Sequence, residues 1–251
     1  MADRAVGVVI LLLGGTAEGR ELASALETEG RPAVLSLAGR TADPLTAGPV
    51  RIGGFGGVEG LIAYLRAERV SAIVDATHPF ATTMSRNAAA AARATGVPIL
   101  RLERPGWSDA EGAAGWRWVD DHASAAAEVV ALGAQNVLLT VGRQHTLDYG
   151  LLADRTVIAR VAEPPDGEVP DCWRLLIARG PFDLAREREL FAEHRIDCLV
   201  TKDSGGTHTA AKLTAAAESG AAVVVVRREP PAVGVATVGS VEAALDWLSR
   251  G

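Results

Sequence analysis

The sequence has few residues of several kinds, and each shortage excludes a class of protein. Of the 25 basic residues only two are Lys, Lys202 and Lys212. The two cysteines, Cys172 and Cys198, have no Cys-x-x-Cys or Cys/His spacing, so neither a disulfide framework nor a zinc site is predicted. The reducing cytoplasm is the location that this cysteine usage favours.

A positive net charge and a long apolar run are also missing. The formal net charge is −6, so no overall basic field exists to hold nucleic acid. The longest apolar run, residues 6–13, is far shorter than the ~20 residues that cross a bilayer, and it ends in Gly14-Gly15 instead of a cleavage site. We therefore expect no nucleic-acid partner and no membrane span.

What the chain does contain is enough apolar sequence for a large core. Of its 251 residues, 48% are hydrophobic, which suits one large or two small domains. Arg, Ala and Gly are abundant while Lys is scarce, a bias that G/C-rich codons produce. We attribute most of that bias to codon usage.

Short apolar runs alternate with helical patterns along the chain. The runs are largely uncharged and end at Gly, Pro, Thr or Arg, as is typical of strands buried on both faces. Strands are predicted at residues 6–13, 33–38, 71–76, 97–102, 136–141, 155–161, 173–178, 197–201 and 222–226. Helical spacing lies between them, and the last helix carries Val241, Leu245 and Leu248 as one stripe. This alternation predicts an α/β protein with parallel sheets.

A turn-forming segment at residues 104–112 divides the chain into two similar halves. We predict one domain over residues 1–112 and a second over residues 113–251, both Rossmann-like. Two such domains facing each other would leave a cleft at the carboxyl ends of both sheets, where ligands bind in this architecture. We expect the active site in that cleft.

The first candidate site follows the first strand. Glycines there let the backbone approach a pyrophosphate, whose charge the helix N-terminus stabilises. The spacing is G-G-x-x-x-G instead of G-x-G-x-x-G, so a plain turn between strand and helix is the alternative. Thr16 either caps the helix or binds a phosphate. The cofactor-binding candidates are Gly14, Gly15, Thr16, Glu18, Gly19 and Arg20.

The second candidate is Gly39-Arg40 at the end of the second strand. Dinucleotide folds place an acidic residue here for the ribose 2′-hydroxyl, or an Arg for the 2′-phosphate of NADP. Arg40 therefore favours NADPH over NADH, the alternative being an Arg in a solvated loop.

The third candidate is Thr77-His78-Pro79-Phe80, at the end of a later strand. His78 could donate a proton or bind a carboxylate, and Thr77 could contact the cofactor. The plainer alternative is a His that only caps a helix or makes loop hydrogen bonds. No further ligand pattern accompanies His78, so no metal is predicted.

The fourth candidate lies in the second half, where Lys202 and Ser204 precede Gly205-Gly206 and Lys212 follows in the next helix. A positively charged corner between strand and helix is an anion site. The Walker pattern is absent, which argues against an NTPase. Arg143 and Arg179 also follow predicted strands and could bind carboxylates, or could pair with acidic neighbours.

Seven segments together resemble the precorrin-6A reductase family. They are LLLGGTAEGRELA at residues 11–23, SLAGRT at 36–41, DATHPFA at 75–81, ERPGW at 103–107, TVGR at 140–143, ARGPF at 178–182 and VTKDSGG at 200–206. The resemblance implies that the first domain binds NADPH and that the second binds a tetrapyrrole-derived macrocycle. It also implies hydride transfer from NADPH to a ring double bond of precorrin-6A, giving precorrin-6B, in cobalamin biosynthesis.

Under this hypothesis the macrocycle's carboxylates require Arg and Lys donors. The expected catalytic residues are His78 and Lys202, with water an equal alternative as proton source. The expected substrate-binding residues are Thr77, His78, Pro79, Phe80, Arg143, Arg179, Lys202, Ser204 and Lys212. The alternatives are a cobalt-precorrin-6A reductase, which could use NADH, and a non-catalytic nucleotide or tetrapyrrole-binding protein. A short-chain dehydrogenase is disfavoured because neither Tyr64 nor Tyr149 has a Lys four residues on.

Overall fold

The computed structural model describes residues 8–38, 48–206 and 209–250, which form two compact units. One unit comprises Met1–Pro105 together with Glu229–Gly251, and the other comprises Gly106–Arg228. Each unit contains a six-stranded sheet, and every strand pair within the described residues is parallel. The prediction of an α/β protein with two parallel-sheet domains is confirmed.

The first unit begins with alternating strands and helices. Its elements are β1 (Val9–Leu13), α1 (Ala17–Thr28), β2 (Ala33–Leu37), β3 (Val50–Ile52), α2 (Gly57–Ala67), β4 (Val70–Asp75), α3 (Thr82–Thr95), β5 (Ile99–Leu102), β12 (Ala236–Val238) and α8 (Val241–Arg250). The strand order is β12-β5-β4-β1-β2-β3. If the six strands of this unit are numbered along the chain and read from the β3 edge, the order is 3-2-1-4-5-6, which is the arrangement of dinucleotide-binding folds. The switch point of this arrangement lies between β1 and β4.

The last 23 residues depart from the predicted division of the chain, which placed residues 113–251 in one domain. β12 pairs with β5, and α8 buries Ala244 and Leu248 in a core that also contains Leu22 of α1. β12 covers an edge of the first sheet, and the apolar stripe of α8 is buried against the same sheet. Pairing and burial therefore assign residues 229–251 to the first unit.

The second unit repeats the strand order with one difference. Its elements are β6 (Arg117–Val119), α4 (His122–Ala131), β7 (Asn136–Thr140), α5 (Arg143–Thr146), β8 (Thr156–Val161), β9 (Trp173–Ile177), α6 (Leu184–Glu193), β10 (Cys198–Lys202), α7 (Ala211–Ser219) and β11 (Ala222–Val226). The order β6-β11-β10-β7-β8-β9 has its switch point between β7 and β10. The outer position that β12 takes in the first sheet is taken here by β6, the unit's first strand.

The buried strands explain why the apolar runs of the sequence are continuous. β1, β4, β10 and β11 each bury nearly every residue, since helices cover both faces of a parallel sheet. No helix among the described residues is long and apolar enough to cross a membrane.

Candidate functional site

The glycine turn after β1 lies at the switch point of the first sheet. Gly15 has φ +136°, a conformation that residues with a side chain rarely adopt, and no atom lies within 4 Å of where its Cβ would be. A Cβ on Gly14 would lie 2.5 Å from Leu35 Cδ1, so the chain at Gly14 packs tightly against β2. The turn is closed on its sheet side and open above Gly15, as a phosphate site must be.

Thr16 begins α1 and ties it to the neighbouring strand end. Its hydroxyl accepts a hydrogen bond from Gly19 N at 3.1 Å and donates one to Ala76 O at 2.8 Å. A Cβ on Gly19 would lie 3.2 Å from Ala76 Cβ, so this glycine allows the helix to approach the end of β4. Because the Thr16 side chain is engaged in these two bonds, the remaining anion donors are main-chain N–H groups of the turn and first helical turn.

The charged candidates of this corner differ in their surroundings. Glu18 pairs with Arg104 at 2.9 Å, with both side chains mostly buried, whereas Arg20 is exposed. Arg104 belongs to the ERPGW segment, and its contact with Glu18 was not predicted. Gly39 and Arg40 lie outside the residues that the structure describes.

The end of β4 contains a buried ionic network. Arg101 of β5 contacts Asp75 Oδ2 at 2.8 Å and Glu103 Oε2 at 2.7 Å, and its side chain is only 5% exposed. Thr77 Oγ1 donates to Asp75 Oδ1 at 2.7 Å and accepts from Arg101 at 2.9 Å. The hydroxyl of Thr77 therefore stabilises this network, and its main-chain N–H also donates to Asp75 Oδ1 at 3.1 Å, which leaves the main-chain carbonyl as the group that could contact a cofactor.

His78 and Phe80 are half-buried at the same strand end, while Pro79 is buried. His78 Nδ1 accepts a hydrogen bond from Phe80 N at 3.2 Å, so in the neutral ring the proton lies on Nε2. The two rings are tilted, with centroids 6.0 Å apart. A cavity of about 110 Å³ adjoins this segment, lined by Asp75, Pro79, Ser85, Arg101 and Glu103 among others.

Lys202 ends β10 at the switch point of the second sheet. Its Nζ lies 3.6 Å from where a Cβ of Gly142 would be, so the ammonium lies over the glycine that follows β7. Gly142 has φ +79°, which favours glycine on conformational grounds as well. Burial lowers the pKa of Lys202 to about 8. A lysine with this pKa can hold an anion and can also release a proton near neutral pH.

The loop after Lys202 is held by residues that sequence reasoning left without a role. Asp203 accepts a hydrogen bond from Trp107 N at 2.8 Å and pairs with Arg228 at 3.2 Å. A Cβ on Gly106 would lie 2.5 Å from Asp203 Oδ2, which explains a glycine before Trp107. Ser204 is half-buried in this loop. The Gly106-Trp107 pair therefore fixes the orientation of the predicted anion loop.

Lys212, predicted to bind substrate, is 95% buried in α7. Its Nζ lies 5.0 Å from the centre of the Trp107 ring, and burial, with Arg160 nearby, lowers its pKa to about 7. Arg160 itself pairs with the buried Glu187 and stacks on Phe182. The ammonium of Lys212 thus packs inside the unit, away from the surface where a macrocycle would be bound.

Arg143 and Arg179 converge on one carboxylate. Arg179 Nη2 contacts Glu163 Oε1 at 2.8 Å, and Arg143 Nη1 lies 3.8 Å from Glu163 Oε2. The three residues follow the neighbouring strands β7, β8 and β9, whose carboxyl ends share one edge of the sheet. Two predicted substrate-binding residues are thus brought together, with Glu163 between them.

A polar cluster near Lys202 was missed by sequence reasoning. His122 Nδ1 lies 2.9 Å from the hydroxyl of the buried Tyr149, and the His122 and His145 rings stack 4.0 Å apart. Burial lowers the pKa of His122 to about 4, with the charges of His145 and Lys202 acting in the same direction. His122 is therefore neutral at pH 7. These three residues lie on three separate elements, and no spacing signal in the sequence could have predicted their contact.

Fold and site together define a class of protein. The 3-2-1-4-5-6 sheet order, the open glycine turn at its switch point and the helix N-terminus beyond it are typical of enzymes that bind a dinucleotide. No group of His, Cys, Asp and Glu within the described residues could hold a metal ion. The first unit thus has the fold that is typical of Rossmann-type dinucleotide-binding domains.

Comparison with known proteins identifies the family. The model described as "Precorrin-6x reductase CbiJ/CobK" matches residues 9–249, so the chain belongs to the precorrin-6x reductase family. A precorrin-6A reductase of Rhodococcus erythropolis is 48% identical over 241 residues, covering 95% of this chain and 96% of the relative. A solved structure described as "CobK precorrin-6A reductase" superposes with a TM-score of 0.87 and 40% identity, over 97% of each chain. A cobalt-precorrin-6A reductase of Priestia megaterium is 30% identical over 234 residues, covering 88% of this chain and 90% of the relative.

Membership in this family makes the protein an oxidoreductase of cobalamin biosynthesis that requires a nicotinamide cofactor. The predicted family and the predicted enzyme class are confirmed. The roles of individual site residues and the cytoplasmic location stay predictions.

Proposed function

We propose that this protein reduces precorrin-6A to precorrin-6B with NADPH. The observation that carries the proposal is the open glycine turn at the first switch point, in a chain of which 95% aligns with a precorrin-6A reductase at 48% identity. The greater identity to the cobalt-free enzyme than to the cobalt-precorrin relative, 48% against 30%, favours the cobalt-free substrate.

The cofactor is assigned to the first unit. Gly15 leaves room for close approach of the pyrophosphate, while Gly14 and Gly19 let the turn and α1 pack against β2 and the end of β4. The N–H groups at the start of α1 would stabilise the pyrophosphate charge. Glu18 and Arg20 lie in the first turn of α1, where Arg104 neutralises Glu18 and Arg20 is exposed. The space where a Cβ of Gly15 would lie is open, and it is next to the N-terminus of a 12-residue helix. Such a space fits a phosphate group.

The choice of NADPH rests on Arg40 and Gly39, which only the sequence describes. A guanidinium at the end of the second strand matches a 2′-phosphate in charge and geometry. When bound, NADPH supplies the hydride that the reduction requires.

Candidate substrate-binding groups lie at the carboxyl ends of strands in each unit. In the first unit, the main-chain carbonyl of Thr77 together with His78, Pro79 and Phe80 would contact the ring system. In the second unit, Arg143, Arg179, Lys202 and Ser204 would bind the acetate and propionate groups, because Lys202 ends a strand and the other three follow one. Lys212 could contribute only if its buried ammonium became exposed.

The reduction also requires one proton at the carbon next to the one that accepts hydride. Lys202 is the stronger candidate, since burial brings its pKa to about 8 and it remains largely protonated at pH 7. His78 carries a proton on Nε2 in its neutral form, which makes it the second candidate. Water is the third possible source.

The test is to mix the purified protein with precorrin-6A and NADPH and to follow the nicotinamide absorbance. Oxidation that depends on both compounds is expected, with cobalt-precorrin-6A reacting more slowly and NADH binding more weakly. Arg40→Ala should remove most of the difference between NADPH and NADH. Binding of either compound without oxidation of NADPH would support a non-catalytic binding protein and overturn the proposal.

A further inference from the structure

Glu163 occupies the position of a ligand carboxylate. It lies two residues beyond β8, between Arg143 beyond β7 and Arg179 beyond β9. One carboxylate oxygen lies 2.8 Å from Arg179 and the other lies 3.8 Å from Arg143, so the carboxylate spans two guanidiniums. A carboxylate shared by two arginines is the arrangement that an arginine-lined anion site makes with its ligand.

Other Arg–Glu pairs in the described part of this unit are built differently. Arg188 contacts Glu218 through two nitrogens, both at 2.6 Å, which is a one-to-one bidentate pair. Arg160 and Glu187 form a buried pair with almost no solvent exposure. Unlike Glu218, Glu163 divides its two oxygens between two partners, and unlike Glu187 it keeps 40% of its side chain exposed. Such a carboxylate is held weakly enough to be exchanged.

The energies of exposed ion pairs support an exchange. Arg143 and Arg179 are 32% and 48% exposed, and ion pairs at such positions contribute little to stability because water and salt screen them. Asp166 is 89% exposed and lies 3.5 Å from Arg143, so that arginine has a second carboxylate beside it. Replacing Glu163 by another carboxylate would therefore cost the protein little, since both arginines keep an anionic partner.

We propose that Glu163 is a built-in competitor, which occupies an Arg143–Arg179 carboxylate site when no ligand is bound and leaves it when an acetate or propionate arm of a polycarboxylate ligand enters. This inference rests on the proposed function, in which both arginines face the macrocycle. The exchange breaks two ion pairs and forms two. A ligand with a single carboxylate gains no net binding free energy from this exchange. A ligand with several carboxylates gains binding free energy from its other contacts. Glu163 thereby selects polycarboxylates over small anions.

The experiment measures binding of uroporphyrin, a tetrapyrrole with acetate and propionate arms, by its change in absorbance and without NADPH. Glu163→Gln keeps the shape of the side chain and removes its charge, so it should lower the Kd about two- to fivefold, the range expected for the loss of a competing exposed ion pair. Glu218→Gln is the matched control, because it also frees an exposed arginine of the same unit, and it should leave the Kd unchanged. The double variant Glu163→Gln with Arg179→Gln should not show this decrease in Kd.

Salt dependence separates competition from a structural effect. The intact protein exchanges one set of ion pairs for another, whereas the Glu163→Gln variant forms new pairs without losing any. Its affinity should therefore fall more steeply with salt than that of the intact protein. The unfolding midpoint in urea should be the same for both.

An unchanged or larger Kd in Glu163→Gln, an equal gain in Glu218→Gln, or parallel salt dependences would each overturn the inference. So would the absence of uroporphyrin binding in every variant. The result is independent of turnover: failure of NADPH oxidation with precorrin-6A would overturn the proposed reaction, while the binding data would still decide the role of Glu163.

Discussion

The hydroxyl of Thr16 donates a hydrogen bond of 2.8 Å to the main-chain carbonyl of Ala76, and so joins the ends of β1 and β4 at the switch point. The same oxygen accepts a bond from Gly19 N and caps α1. One side chain thus fixes the helix N-terminus against the strand that leads to His78. The position of the N–H groups that are proposed to bind phosphate depends on this contact.

We expect Thr16→Val to weaken both folding and cofactor binding. The variant keeps the shape of the side chain but loses the cap and the bond to Ala76, so the free energy of unfolding should fall by about 1–2 kcal/mol. The Kd for NADPH, measured by fluorescence, should rise because the first turn of α1 is no longer fixed. Thr28→Val, which removes an exposed hydroxyl at the other end of α1, is the control and should change neither quantity appreciably. Equal effects from the two variants would refute this role for Thr16.

Arg101 should be essential for stability. Replacing it with Met leaves Asp75 and Glu103 buried without their cation, and breaking such a pair costs about 3–5 kcal/mol. Arg86, which also lines the nearby cavity, pairs with Glu229 at the surface, so Arg86→Met should cost less than about 1 kcal/mol. Urea unfolding at pH 7 measures both. If Arg101→Met were as stable as Arg86→Met, the network would not stabilise the end of β4.

The sequence was sufficient to predict the strands that bury continuous apolar runs, and it was insufficient to predict the strands that do not. β1, β4, β10 and β11 were predicted because each is apolar along most of its length. β3, β6 and β12 have three residues each, too few for a period to be visible. β12 returns to the first sheet because β5 has an edge that no other described strand pairs. Which edge is available for pairing is a property of the whole fold and cannot be read from a short segment.

The site was predictable where local geometry determines it. Gly14 and Gly19 are required by close approaches and Gly15 by its positive φ, and a sequence displays these requirements as the spacing of its glycines. Side-chain partners are different, because they depend on contacts between distant segments. Thr77 was expected to contact the cofactor, but its hydroxyl bonds Asp75 and Arg101. Likewise the contact of Glu163 with Arg143 and Arg179 joins three strand ends, and no spacing in the sequence indicates it.

The buried ammonium of Lys212 should make stability depend on pH. Its pKa is about 7 in the folded protein and near 10.5 when unfolded, so between these values the unfolded chain binds more protons. The free energy of unfolding should therefore rise from pH 7 towards pH 10. Lys212→Met removes this dependence and should be more stable than the intact protein by a few kcal/mol at pH 7. The advantage should shrink as the pH approaches 10. Urea unfolding at several pH values measures it, and a constant difference between the two proteins would contradict the burial argument.

Lys202 should give the reaction an upper pH limit. If its ammonium supplies the proton, kcat/KM must fall about tenfold per pH unit above its pKa of about 8, because only the protonated form can donate. Lys202→Met should lower kcat by about a hundredfold or more and lose this limb of the profile. Lys202→Arg keeps the positive charge, so it should retain the KM for precorrin-6A but not kcat, since a guanidinium does not release its proton. His78→Gln should keep the limb above pH 8 if Lys202 is the donor. An unaltered profile in both Lys202→Met and His78→Gln would assign the proton to water and leave Lys202 as a group that only binds the substrate's carboxylates.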